Sequence, residues 1–330
     1  MRGRAVRRRS FPHGARRVRD AAESSFQMAI QWFPGHMHTT RKAIAERLPD
    51  IDVVIELLDA RLPGSSANSL LAEMTRGKPA LKVLNKQDLA DTALTEQWLA
   101  YYRAQPGTNA LGLDASDTAP ARALVPACRA LAPNRGGMVK PVRVMICGIP
   151  NVGKSTLVNT LNGQRAAKTG DEPGITKLEQ KILLANDFYL FDTPGMLWPR
   201  IIIEEGGYNL AASGAIGRNA YDEEEVAMAL LARVRHRYAD RIVARYKTAD
   251  FSAMTDEGLL EEVGRKRGGL LPGGHVNMQK AAEIALNDFR SGAWGRVTLE
   301  TPEEFTAWWA AGMAAEEARK ARKEARSKKD

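Results

Sequence analysis

VRVMICGIPNVGKS, residues 142–155, decides the architecture. The first six residues are mostly apolar and read as a buried strand. Gly148 to Ser155 fit the pattern GxxxxGK[ST], and a helix is expected over 154–162. Strand, glycine-rich loop and helix in that order build a phosphate cradle, because the glycines let backbone N–H groups point at phosphate oxygens. Asn151, Val152, Gly153 and Thr156 belong to that cradle. Lys154 is placed to reach the β and γ phosphates, and the Ser155 hydroxyl to ligate Mg²⁺. The helix N-terminus adds a favourable partial charge.

Working outward, two further motifs complete a nucleotide site. Asp192-Thr-Pro-Gly195 lies 37 residues beyond Ser155. A carboxylate at Asp192 can hold Mg²⁺ through water, and the Gly195 N–H can sense a γ-phosphate. Between the motifs, Thr176 sits on a Gly/Pro-rich loop and can complete the metal shell, as nucleotide switches do. Upstream, Asn85-Lys-Gln-Asp88 ends a strand at 80–84. This NKxD pattern selects guanine: the Asp88 carboxylate accepts from N1–H and N2–H₂, while the Lys86 stem packs along the base. Ala115-Ser116, at the end of the next strand, supplies a backbone contact to the guanine oxygen. The ligand is therefore GTP or GDP with Mg²⁺.

The order of these motifs is the unusual feature. NKxD precedes the phosphate loop by 60 residues, whereas an ordinary GTPase has the phosphate loop first. The same site is thus written on a circularly permuted chain, joined through the Pro/Gly-rich stretch 132–141. Permutation is tolerated where native termini lie close together and new ends fall in exposed loops. Strands expected at 51–58, 80–84, 110–113 and 142–147, a hairpin at 181–184 and 188–191, and helices at 37–47, 66–76, 92–104, 118–132 and 154–162 alternate as in an α/β fold with a mostly parallel sheet and helices on both faces. From about 205 the pattern turns helical, at 208–217, 222–236, 239–246, 256–264 and 278–290. The expected organisation is a basic arm (1–27), a permuted P-loop GTPase domain (28–205), a smaller mainly helical domain (206–300) and a basic helical tail (301–330) that frays into solvent. The switch region feeds directly into the helical domain, so nucleotide state should reach it.

Composition narrows the class. The 330 residues carry a net charge of +9, but unevenly. Residues 1–27 hold eight arginines against Asp20 and Glu23, and residues 310–330 hold seven Lys/Arg against four acids. The 282 residues between are balanced, with 33 basic and 33 acidic side chains. No apolar run approaches the ~18–20 residues of a membrane helix. Cys128 and Cys147 lack metal-ligand spacing and suit a reducing compartment. Three readings fit residues 1–27: a disordered or mis-started arm ahead of Met28, an RNA-contacting arm, or a mitochondrial transit peptide. The cytoplasm is the expected location, or the mitochondrial matrix on the third reading.

The permuted order, with residues 30–37 (IQWFPGHM), 148–156 (GIPNVGKST), 167–176 (AKTGDEPGIT), 192–199 (DTPGMLWP), 264–269 (GRKRGG) and 294–296 (WGR), closely resembles the YlqF-type family, ribosome biogenesis GTPase A. The resemblance spans roughly residues 28–300. It implies a factor in late assembly of the large ribosomal subunit, binding its precursor and rRNA, with hydrolysis stimulated by the particle. A monomer that touches no membrane is expected.

The hydrolytic machinery has a gap. Ras-type GTPases place a glutamine after DxxG to orient water; here Met196 and Leu197 follow. His36 is the candidate replacement, since a neutral imidazole can align a water, and the resemblance points to it as well. The alternative is a histidine that merely caps the adjoining helix. Asn151 can help hold K⁺ beside the β and γ phosphates, as in similar GTPases with this asparagine, or simply favour the turn. Arg265-Lys266-Arg267 read as a flexible glycine-rich loop suited to RNA phosphates, or as a solvated charge run. Two other functions fit the residues: a permuted GTPase acting on another RNA or subunit, and a nucleotide-gated binding module with negligible turnover.

Overall fold

Among the described residues, six strands form one sheet in the order β3-β2-β1-β4-β6-β5. They are β1 (Val53–Asp59), β2 (Ala80–Asn85), β3 (Thr108–Gly112), β4 (Val142–Gly148), β5 (Gln180–Ala185) and β6 (Phe188–Asp192). The computed structural model describes residues 30, 35–163, 180–248, 251 and 253–327. All seven residues of β1 are buried, as expected of a central parallel strand covered on both faces. Its neighbours β2 and β4 pair with it in parallel. Only β5 runs antiparallel, on the edge, as the second arm of the hairpin with β6. The mostly parallel sheet expected from the alternating pattern is therefore present, and so is the hairpin.

Two expected helices are broken, each for a local reason. The stretch 66–76 divides into Pro63–Ser66 and Ser69–Met74. Asn68 caps the second, its Oδ1 accepting from the N–H groups of Leu70 and Leu71. The stretch 118–132 divides into Thr118–Arg122 and Leu124–Leu131. Pro126 has no N–H to donate to residue 122, so the ladder stops there.

Beyond β6 the chain forms helices Glu204–Ser213, Glu223–Arg237, Ala239–Tyr246, Asp256–Arg267 and Met278–Ser291. The loop expected to carry residues 265–267 begins later, at Gly268. Residues 264–267 continue the helix, and Gly264 is a packing residue. A Cβ there would lie 2.5 Å from Val276 Cγ1 and 3.0 Å from the Ala281 Cβ. Close approach of neighbouring elements, not flexibility, explains that glycine.

The helical unit does not hang apart from the sheet. One hydrophobic cluster runs from Val53 and Ile146 to Leu231, Leu260 and Leu286. After Ser291 the chain returns to the nucleotide-binding part. The Val297 N–H donates to Leu89 O (2.9 Å) and the Leu299 N–H to Arg61 O (2.7 Å). The buried Glu300 carboxylate accepts from the Ser65 N–H (2.7 Å), the Ser65 hydroxyl and Asn209 Nδ2 (3.0 Å), while burial raises its pKa. The tail helix Pro302–Ser327 is anchored over its first half rather than fraying at once. Phe305 meets Trp98 edge-on at 5.8 Å, and Arg200 pairs with Glu316 at 2.8 Å.

Candidate guanine-nucleotide site

The C-terminal ends of β1, β2, β4 and β6 deliver Asp59, Asn85, Gly148 and Asp192 to one edge of the sheet. That edge is where open α/β sheets bind ligands. The permuted segments meet there through side chains. Asn85 is buried; its Nδ2 donates to Val152 O (2.7 Å) and its Oδ1 accepts from the Ala115 N–H (2.7 Å). Lys86 Nζ donates to Asn151 O (3.0 Å). Thr160 Oγ1 donates to Ala115 O (2.7 Å). So 85–86, 115 and 151–153 form one assembly despite their separation in the chain. Gly153 has φ 102°, and a Cβ there would lie 2.3 Å from Asn85 Nδ2. Only glycine fits this junction without displacing the asparagine.

Asp88 is exposed at the mouth of this assembly, where its carboxylate can accept from a base. Ala115 has a different part from the one expected. Its N–H is committed to Asn85, so Ala115 aligns the loop. The Ser116 N–H and Oγ both donate to Asp114 Oδ1 (2.9 and 2.7 Å).

On the phosphate side, helix Lys154–Asn162 starts at Gly153, with Ser155 and Thr156 in its first turn. Lys154 is 7% exposed. Its Nζ donates to Gly148 O (3.1 Å) and Ile149 O (2.9 Å). Burial lowers its pKa to about 8, against the attraction of Asp192. Asp192 is fully buried, and among the described residues neither carboxylate oxygen has a hydrogen-bond partner. Burial pushes its pKa up to about 6, partly opposed by Lys154 and by the Thr193 N–H. An orphaned buried carboxylate within electrostatic reach of Lys154, at the start of the phosphate-loop helix, fits a hard cation with oxygen ligands. No group of three His, Cys, Asp or Glu among the described residues would hold a metal by itself. A cation here would therefore draw much of its shell from phosphate and water.

Gly195 lies on the phosphate loop: a Cβ would be 2.9 Å from the Pro150 Cα and 3.3 Å from Lys154 Nζ. The following Met196 N–H donates to Gly148 O (3.2 Å). Met196 and Leu197 are buried in the core, so neither side chain is offered to a water. Asn151 adopts φ 57°, and its Nδ2 donates to Gly214 O (2.9 Å), just past helix Glu204–Ser213. His36 is the first residue of helix His36–Arg47; its side chain lies outside what is described. Thr176, Trp32, Phe33 and the arm 1–27 also lie outside the described residues.

Sequence reasoning passed over three residues beside this site. Asp59 and Arg61 form a buried ion pair at the end of β1, and Asp59 also pairs with Lys86. Asn68 Nδ2 donates to Met196 O (2.8 Å), fixing the chain after DxxG. The available signal was an Asp-Ala-Arg at the end of an apolar strand, followed by Pro63-Gly64. The cluster 265–267 needs correction as a phosphate-contacting loop. Arg265 and Lys266 sit in the last helical turn, paired with Glu261 (2.8 Å) and Glu262 (3.6 Å). Arg267 instead lines a cleft of about 520 Å³ with Arg241, Arg245 and Lys247.

Residues 143–257 match the family model described as 50S ribosome-binding GTPase. Ribosome biogenesis GTPase A of Bacillus cereus is 41% identical over 285 residues, covering 84% of this chain and 96% of that protein. Mitochondrial ribosome-associated GTPase 1 of Mus musculus is 34% identical over 321 residues, covering 88% and 98%. Among solved structures, GDP-bound YlqF matches with TM-score 0.57 and 27% identity, over 79% of this chain and 99% of that one. GNP-bound YlqF from T. maritima matches with TM-score 0.56 and 26% identity, over 81% and 99%. These relatives were solved with GDP and with GNP bound, which supports guanine-nucleotide binding. With its phosphate loop, guanine motif and permuted order all in place, this chain is a GTPase and belongs to the ribosome biogenesis GTPase A family.

Proposed function

We propose that the protein acts in late assembly of the large ribosomal subunit, binds the precursor particle and its rRNA in the GTP-bound state, and hydrolyses GTP faster once bound. The observation that carries this reading is the direct attachment of the nucleotide loops to the helical unit. Asn151 of the phosphate loop holds Gly214, and the chain leaving DxxG runs through Ile203 into helix Glu204–Ser213. A change at the phosphates is therefore felt in the unit offered to a partner. Co-sedimentation with large-subunit precursors tests it: binding with a non-hydrolysable GTP analogue should exceed binding with GDP at least tenfold. Equal binding in both states would overturn it.

Lys154, with the helix N-terminus, binds and orients the phosphates. Ser155, Asp192 (through water) and Thr176 are the residues to hold Mg²⁺, which would neutralise charge on the β and γ oxygens. The buried Met196 and Leu197 leave water positioning to another group. His36 takes that role in this reading, which makes turnover slow until a partner orders the site. His36→Ala should preserve nucleotide affinity and abolish most of the particle-stimulated rate. Asn151 is proposed to help hold K⁺, so hydrolysis should be faster in KCl than in NaCl at matched ionic strength.

Contact with rRNA is assigned to the cleft lined by Arg241, Lys247 and Arg267. Arg245 there is neutralised by Asp288 at 2.6 and 2.8 Å. The Arg241 guanidinium lies 4.6 Å over the Tyr238 ring, and among the described residues its buried Nη1 has no hydrogen-bond partner. The exposed Lys247 and Arg267 beside it suit phosphate oxygens. No described helix is long and apolar enough to cross a membrane, and the chain is proposed to work as a monomer in the cytoplasm.

A further inference from the structure

A charged pair lies fully buried between the guanine motif and the helical unit. Asp59 and Arg61 are each 1% exposed. Asp59 Oδ1 accepts from Arg61 Nε (2.9 Å) and from the Arg61 N–H (3.0 Å). Its Oδ2 accepts from Arg61 Nη2 (2.8 Å) and from Lys86 Nζ (2.9 Å). The remaining terminal nitrogen of Arg61, Nη1, donates to Phe289 O (3.1 Å), with the guanidinium 4.5 Å above the Phe289 ring. One carboxylate thus bridges the lysine of NKxD and an arginine fastened to helix Met278–Ser291.

The chain of contacts closes on itself. Lys86 Nζ also donates to Asn151 O, and Asn151 Nδ2 donates to Gly214 O. Arg290, next to Phe289, donates through Nε to Ala212 O (2.8 Å) and through Nη2 to Ala211 O (3.0 Å). Ala211 O also accepts from the Gly214 N–H (3.1 Å), so the bonds through Arg61, Asp59, Lys86, Asn151, Gly214, Ala211 and Arg290 close, by way of the Phe289–Arg290 backbone, into one ring. It joins Asp59 and Lys86 to Gly214, Ala211, Phe289 and Arg290 of the helical unit.

The chemistry of the ring is directional. Burying a bidentate Arg–carboxylate pair carries a desolvation cost that an apolar pair of the same volume would avoid. What the ions add is a fixed position for a third charge, the Lys86 ammonium. Lys86 itself has φ 65°, a left-handed backbone that an L-residue adopts only when its surroundings hold it there. Two acceptors, Asp59 and Asn151, then define where its stem lies across the base.

We propose that Asp59 and Arg61 are positioning residues for guanine recognition: Asp59 seats Lys86, and Arg61 ties that seat to Phe289, so that the helical unit sets how long a guanine nucleotide stays bound. A partner gripping helix Met278–Ser291 thereby acts on nucleotide residence without passing through the DxxG loop. This rests on residues 85–88 being the guanine-reading element, which Asp88→Asn tests separately: that variant should lose GDP affinity and gain xanthosine diphosphate affinity.

The experiment is release of fluorescently labelled GDP from the full-length protein, followed by stopped flow. Arg61→Met should speed release at least tenfold, with Arg61→Lys partly restoring it. Asp59→Asn should speed release at least fivefold. In a Lys86→Met background, Arg61→Met should add no further acceleration. Phe289→Leu keeps the carbonyl and removes only the ring; it should speed release two- to threefold and carries the test should Arg61→Met fail to fold. Unchanged release in Asp59→Asn and Phe289→Leu would overturn the proposal. So would full additivity of Arg61→Met with Lys86→Met, which would make the ion pair purely structural. A failed Asp88→Asn test with these effects intact would instead remove the guanine assignment.

Discussion

The two halves of the nucleotide site differ in how far the protein satisfies itself. On the guanine side, Asn85, Lys86, Asp59, Arg61 and the Ala115 N–H are all hydrogen-bonded within the chain. On the phosphate side, Asp192 carries two buried, unpartnered oxygens, and Lys154 is buried against two loop carbonyls with its pKa lowered. The contrast follows from the ligand. A base is neutral and is recognised by shape and hydrogen bonds, which need a preformed frame. Phosphates and a divalent cation are charged, so they can supply the partners that Asp192 lacks and a counter-charge for Lys154. The guanine half is thus a scaffold, and the phosphate half is a set of charges held ready for their counterparts.

Lys154→Met is the strongest way to break this contrast. GTP turnover should fall by about 10²–10³, the scale of losing a main charge-stabilising group. The melting temperature of the nucleotide-free protein should hold or rise, because a desolvated ammonium is removed. A marked fall in melting temperature would show the phosphate half to be as self-satisfied as the other. Asn85→Ala should behave in the opposite sense. It leaves Val152 O and the Ala115 N–H buried without their partner, at a cost of about 2–4 kcal/mol. Chemical denaturation should report that loss, together with weakened GDP binding; unchanged stability would dissolve the scaffold interpretation.

Asp192→Asn sharpens the comparison through pH. The folded pKa of about 6 lies above the ordinary value of 3.8, so the folded state holds its proton more tightly than the unfolded chain. Stability from this group therefore falls as pH rises from about 4 to 6, and the penalty is complete above that range. The asparagine variant should be more stable than the parent at pH 8, by roughly 1–3 kcal/mol, with the gain vanishing near pH 4. It should also bind Mg²⁺–nucleotide more weakly. Thermal unfolding at pH 4 and 8 decides this; equal gains at both pH values would remove the desolvated carboxylate from the account. The smallest effect is expected outside both halves. Arg265→Ala removes an exposed pair with Glu261 and should change stability by no more than about 0.5 kcal/mol. Binding to ribosomal precursors should change less than twofold, whereas Arg241→Ala should reduce it several-fold.

Much of the site was legible because it is local. The phosphate loop, DxxG and NKxD each occupy a few consecutive residues behind a strand, and the first two carry their own glycines. The parallel sheet was legible for the same reason: buried strands such as 53–59 announce themselves by apolar runs, here interrupted only by Glu56 before the terminal Asp59. The helical end was less so. Gly264 looked like a loop breaker because a sequence shows glycine's freedom but not the neighbour that demands its small size. The basic cluster 265–267 was then misread as flexible, although two of its three cations face glutamates one turn earlier. The tail helix looked solvated because the anchoring partners of Phe305 and Glu316, namely Trp98 and Arg200, lie more than a hundred residues away.

By itself, the order of motifs along the chain determined that this is a permuted guanine-nucleotide enzyme, since each motif carries its chemistry in a short, self-contained stretch. Tertiary structure decided what joins the motifs. Asp59 meets Lys86 across 27 residues, and Arg61 meets Phe289 across 228. Folding alone brings such groups together, because a buried charge is held wherever its counter-charge and acceptors converge, whatever their distance in sequence.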